Sequence, residues 1–84
     1  MNFSIVWSPK ANGNLERLEQ QIAQRIIAKI ELVKEDPFRY LEHFEGENVY
    51  KLRIGDYRLL VELDLTQNLI VIRFLDHRKR VYKR

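Results

Sequence analysis

The 84 residues are predicted to fold as an α+β domain, with helices packed on one face of a small, mostly antiparallel four-stranded sheet. The expected order is an N-terminal strand, a helical hairpin and then a three-stranded antiparallel meander. Three observations lead there. Apolar residues between 15 and 33 recur at spacings of three and four, whereas those in 49–64 alternate with polar ones. Turn residues separate the last three apolar segments by only a few positions, which suits antiparallel neighbours. A chain of this length supports one modest core, so residues 1–84 are expected to form a single domain.

Residues 2–8 alternate Phe3, Ile5 and Trp7 against Ser4, Val6 and Ser8, the pattern of a short strand with one heavy apolar face. Ser8-Pro9 reads as a helix start, with serine as N-cap and proline at the first helical position. Asn12-Gly13-Asn14 weakens that helix, so either its first turns are irregular or Asn14 caps a fresh start. From Leu15 the period is clear, through Leu18, Ile22, Ile26, Ile30 and Val33, widened by Ala23 and Ile27. One straight helix over 15–34 would be about 30 Å long, too long for so small a domain, and a bend near 19–21 is expected. Glu35-Asp36-Pro37 ends it, because the residue before proline is pushed out of the helical region. Residues 38–48 read as a polar connector anchored by Phe38, Tyr40, Leu41 and Phe44. Its Glu42, Glu45 and Glu47 match no coordination spacing and read as solvated loop charge.

In Val49–Ile54, Tyr50, Leu52 and Ile54 share one face and Val49, Lys51 and Arg53 the other. Gly55-Asp56 supplies a turn, since glycine tolerates positive φ and aspartate bonds the backbone locally. The return segment 57–64 sets Tyr57, Leu59, Val61 and Leu63 against Arg58, Leu60, Glu62 and Asp64. A hairpin here gathers Lys51, Arg53 and Arg58 near its turn, either as an anion site or as a solvated basic surface. After a turn at Thr66-Gln67-Asn68, residues 69–75 (LIVIRFL) are almost all apolar, as in a central strand buried on both faces. Arg73 within it must find a partner or a wet cleft.

The net charge of +3 is unevenly spread: residues 1–48 carry −2 and residues 49–84 carry +5. A basic half made of strands and a tail points to a polyanionic partner. Cysteine is absent, which excludes disulfides and thiolate metal sites. No apolar run approaches the roughly 20 residues of a membrane span. MNFSIVWSPK lacks a basic leader followed by a long apolar stretch, so a cytoplasmic protein is expected.

Taken in order, the strand, the helical hairpin ending in Asp36-Pro37, K-L-R-I-G-D-Y-R at 51–58, the apolar strand and H-R-x-x-V-Y at 77–82 resemble the RelE/ParE toxin superfamily of type II toxin–antitoxin systems. The likeness spans essentially the whole chain and is strongest to the RelE-type branch, the ribosome-dependent mRNA interferases. It implies an endoribonuclease that cleaves mRNA in the ribosomal A site. The RNA's own 2′-OH attacks the adjacent phosphate, with no metal and no cofactor. By the same resemblance Lys51 matches one of two active-strand lysines, with Val49 standing where the other would be. Arg53 and Arg58 match the arginines around the turn, and Arg78 and Tyr82 the catalytic arginine and the C-terminal tyrosine. His77 sits beside Arg78 as in histidine-containing relatives. A cognate antitoxin is implied too, laying an amphipathic helical segment along apolar grooves with its acidic side chains over the basic face.

Such cleavage needs a base at the 2′-OH, an acid at the leaving 5′ oxygen and positive charge around the phosphorane. Guanidinium forks of Arg53, Arg58 and Arg78 suit the phosphate oxygens. Proton transfer is divided among Lys51, His77 and Tyr82. Lysine acts as base only if neighbouring cations lower its pKa from about 10.4, while histidine starts near about 6.5. Tyr82 could equally pack its ring on the sheet or stack on a splayed base. Arg80, Lys83 and Arg84 are expected to make general phosphate contacts that add affinity more than specificity. Two other functions fit the same sequence: a ParE-like toxin that poisons DNA gyrase by binding it, and a non-catalytic RNA-binding relative.

Overall fold

The computed structural model describes residues 3–77. Strand β1 (Ser4–Trp7) leads into helices α1 (Pro9–Glu16) and α2 (Gln20–Val33), then a single turn, α3 (Pro37–Tyr40). Four strands follow: β2 (Glu42–Glu45), β3 (Val49–Ile54), β4 (Tyr57–Asp64) and β5 (Leu69–His77). They form one sheet in the order β1-β5-β4-β3-β2. β1 runs parallel to β5 and the other neighbours are antiparallel. The expected architecture is present, with a correction to its strand count: the sheet has five strands, not four. The added strand is β2, part of the segment expected to be a connector.

α1 starts where Ser8-Pro9 places it. The Ser8 side chain accepts from Ala11 N at 3.1 Å, and proline occupies a position that needs no N–H. The helix then runs unbroken through Asn12-Gly13-Asn14, contrary to the expected interruption. Two contacts explain this. Ala11 is fully buried beneath the helix, and the Asn14 side chain accepts a hydrogen bond from Leu75 N at 3.1 Å. Beyond Trp7 strand β1 no longer borders β5, and Ser8 and Asn14 take over its edge. Ser8 N donates to Ile72 O at 3.0 Å and Ser8 Oγ donates to Arg73 O at 2.8 Å. The backbone polar groups of an internal strand are thus satisfied by a helix start rather than by a strand.

The helical break falls at residues 17–19, two residues before the expected bend. α2 buries Ile26, Ile30 and Val33. They meet Leu52 and Ile54 of β3, Leu59, Val61 and Leu63 of β4, and Ile70, Ile72 and Leu75 of β5 in one cluster. Each fully buried side chain of this kind contributes about 1.5–3 kcal/mol of transfer free energy. Among the described residues no helix is long and apolar enough to cross a membrane.

β5 departs from the expected doubly buried strand. Leu60 pairs with Phe74, but Val61 pairs with Ile72, so Arg73 is an extra residue bulged out of the ladder. Ile70 and Ile72 face the helices before the bulge, and Leu75 does so after it. The run LIVIRFL is therefore an alternating strand with one inserted residue. Arg73 itself is exposed and paired with Glu62 of β4, Nη1 to Oε1 at 2.6 Å, the partner its position demanded.

Candidate nucleic-acid interface

Two turns fix the hairpins that carry the charged residues. Gly55 takes φ +59°, and Ile54 pairs directly with Tyr57 across Gly55-Asp56. A side chain at Gly55 would need a left-handed backbone and would meet the Arg25 guanidinium at 3.0 Å. At the other end Asp64 holds the β4–β5 turn. Its Oδ1 accepts from Thr66 Oγ1 at 2.6 Å, Thr66 N at 3.1 Å and Gln67 N at 3.2 Å. The Thr66 hydroxyl, foremost, and the Gln67 amide hold the Asp64 carboxyl below its ordinary range. Asn68 completes the turn at φ +55°.

The registers order the face opposite the helices into rows. One row is Lys51–Leu60–Phe74, read across β3, β4 and β5. The next, towards the Gly55-Asp56 turn, is Arg53–Arg58–Asp76. On the other side lie Val49, Glu62 and Val71, with Val6 of β1 beyond. Arg53 and Arg58 are direct cross-strand neighbours, a placement that brings Cβ atoms within about 5 Å. Like charges so placed destabilise a sheet. Asp76, in register on the far side of Arg58, offsets part of this. Lys51 lies 4.0 Å from Glu42 Oε1 and 5.7 Å from the Phe44 ring centroid. Lys51, Arg53 and Arg58 are therefore brought together on one face, and Val49 stands in line with them.

His77 is placed differently. It pairs with Tyr57, their rings edge to face at 5.6 Å, and together with Ile22, Arg25 and Ile26 it lines a pocket beneath the hairpin turn. This is the helix side of the sheet, opposite to Lys51, Arg53 and Arg58. The bulge at Arg73 sets that parity. Arg78, Arg80, Tyr82, Lys83 and Arg84 lie outside the described residues. The chain reaches His77 at the same end of the sheet as Arg53 and Arg58.

Two aromatic side chains on the open face were not anticipated from sequence. Phe74 follows the bulge onto this face, with Lys10 Nζ 4.9 Å from its ring centroid, and Phe44 lies near Lys51. Glu42 and Glu45, expected in a loop, lie on the edge strand β2. Among the described residues no group of three or more His, Asp or Glu is placed to hold a metal ion.

Residues 5–82 match the family described as the ParE toxin of type II toxin–antitoxin systems. No curated protein matches the sequence. The fold is close to that of a chain in the toxin–antitoxin complex RelBE2 from Mycobacterium tuberculosis, with TM-score 0.84 and 23% identity over 93% of this chain and 100% of that one. It is likewise close to a chain in the archaeal RelE–RelB complex from Pyrococcus horikoshii, with TM-score 0.83 and 21% identity over 95% and 99%. The isolated RelE toxin of E. coli gives TM-score 0.79 and 17% identity over 95% and 90%. The chain belongs to the ParE toxin family of type II toxin–antitoxin systems, within the RelE/ParE superfamily. The fold it shares is that of the RelE toxins.

Proposed function

We propose that this toxin is a ribosome-dependent endoribonuclease that cleaves mRNA in the A site by attack of the 2′-OH. The observation that carries the reading is the Arg53–Arg58 cross-strand pair beside Lys51 on the open face. Adjacent cations cost a free sheet stability, and an anion bound between them reverses the sign of that interaction. A phosphate undergoing in-line attack is such an anion. Its negative charge grows as the 2′-oxygen bonds to phosphorus and the bond to the 5′ oxygen breaks. Guanidinium groups on adjacent rigid strands are fixed before reaction, so they favour the transition state over the ground state.

In this reading Arg58 and Arg53 clamp the phosphate together with Arg78. Lys51 and Tyr82 take the proton from the 2′-OH and return one to the 5′ oxygen, and no metal or cofactor takes part. Arg80, Lys83 and Arg84 contact neighbouring phosphates. The placement of His77 against Tyr57, on the helix side, favours a packing role over a share in proton transfer. The partner that silences the toxin is a cognate antitoxin with an amphipathic, acidic segment, in keeping with the toxin–antitoxin complexes that share this fold.

Primer extension on mRNA in programmed 70S ribosomes tests the reading, with wild type beside Arg78→Ala. Discrete A-site cuts that disappear in the variant are expected. A second reading is favoured by the family match and by Val49 in place of a lysine: binding and poisoning of DNA gyrase. Strong inhibition of gyrase supercoiling by a protein that leaves ribosome-bound mRNA intact would establish it and discard the nuclease.

A further inference from the structure

The open face holds more than the cationic row. A second hollow of about 280 Å³ is lined by Lys10, Glu45, Val49, Leu60, Arg73 and Phe74. Its floor is apolar, from Val49 and Leu60. One wall is the Phe74 ring, with the Lys10 ammonium 4.9 Å from the ring centroid. Arg73 at its margin is held by Glu62 at 2.6 Å. Phe74 and Lys51 lie in the same cross-strand row with Leu60 between them, about 10 Å apart at the usual strand spacing. The hollow therefore adjoins the proposed phosphate clamp.

We propose that Phe74 and Lys10 form a nucleobase subsite, in which a base of single-stranded RNA stacks on the Phe74 ring and Lys10 neutralises its phosphate. The inference rests on the RNA-directed reading above and names where the nucleotide next to the scissile phosphate is held. Single-strand binding pairs aromatic platforms with cations that follow the backbone. The hollow supplies one of each on a rigid strand and on the first turn of α1. Lys10 is exposed on a flexible stem. A solvent-exposed cation–π contact is weaker than base–aromatic stacking, so the ammonium can leave the ring for a phosphate while the base takes its place. The bulge at Arg73 is what turns Phe74 to this face. Without it the same alternation would carry the ring into the core.

The test uses programmed 70S ribosomes whose A-site codon carries 2-aminopurine, with a 2′-deoxy nucleotide at the attacking position so that binding is read without cleavage. All-ribose mRNA is cleaved in parallel. Wild type should bind with a stacking-dependent change in fluorescence. Phe74→Leu should lose that change, weaken apparent Kd about tenfold and raise KM for cleavage more than it lowers kcat. Phe74→Trp should restore all three. Lys10→Gln should weaken binding and lower its salt dependence by about one ion. If Phe74→Leu binds, changes fluorescence and cleaves as wild type does, the subsite is overturned and the nuclease reading stands. A Phe74-dependent signal from a wild type that cuts nothing would support the subsite and overturn the nuclease. No binding by wild type overturns both.

Discussion

Ser8 joins the start of α1 to the irregular edge of β5, and its replacement gives a sharp test of that joint. Ser8→Ala removes two side-chain hydrogen bonds, the cap to Ala11 N at 3.1 Å and the bond to Arg73 O at 2.8 Å. The backbone bond from residue 8 N to Ile72 O survives. Loss of an N-cap to alanine costs about 1 kcal/mol. Loss of the second bond leaves the carbonyl of a bulged residue without its partner, for about 1 kcal/mol more. The sum, about 2 kcal/mol, corresponds to a fall in Tm of about 8–16 °C for a domain of this size. Urea unfolding followed by circular dichroism measures it, with an unchanged m-value confirming that the denatured state is not altered. Ser8→Thr, which keeps a hydroxyl, should stay close to wild type. A loss below about 0.5 kcal/mol in Ser8→Ala, the low end of what a cap alone is worth, would refute the idea that this residue fastens helix to strand.

Three further outcomes are expected. Asn14→Ala strips the acceptor from Leu75 N and should cost about 1 kcal/mol in the same unfolding assay. Arg58→Ala should lower A-site cleavage about 100-fold, as loss of one preorganised transition-state donor does. His77→Ala should lower cleavage less than tenfold in primer extension and instead reduce stability by about 1 kcal/mol through the lost edge-to-face pair with Tyr57. The depressed Asp64 carboxyl sets an acid-side effect. Its folded pKa lies below the unfolded 3.8, so its stabilisation is complete above that value and drains away as pH falls through the folded pKa. Asp64→Asn should flatten the wild type's loss of stability below about pH 4 in acid titrations followed by circular dichroism.

Much of the architecture is legible in the sequence because local and tertiary signals agree. The Ser8-Pro9 start, the apolar stripe of α2 and the alternation of β3 and β4 each encode one face of the same core. The misreadings have physical sources. β2 is exposed along its whole length, so Glu42-His43-Phe44-Glu45 carries no period, and only pairing with β3 makes it a strand. α1 persists through Asn-Gly-Asn because Ala11 and Asn14 make contacts with distant residues, which no local propensity encodes. In β5 a bulge interrupts the alternation. That hides both the open face of the strand and the parity of everything after it, including Phe74 and His77. The cationic trio was legible because its residues sit on two plain strands joined by a two-residue turn, where counting by twos is reliable.

The bulge makes position 73 tolerant of identity and intolerant of number. The Arg73 side chain is 55% exposed and its carbonyl bond to Ser8 is main-chain on the strand side, so many residue types can stand there. Removing the residue altogether would rotate the end of β5 by half a turn, sending Phe74 and Asp76 towards α2 and Leu75 into water. In a scan of single-residue deletions, position 73 should be as damaging as a core site, while in a scan of substitutions it should resemble the surface. A strand that must change phase midway thus keeps its reading frame in the count of its residues and not in their chemistry.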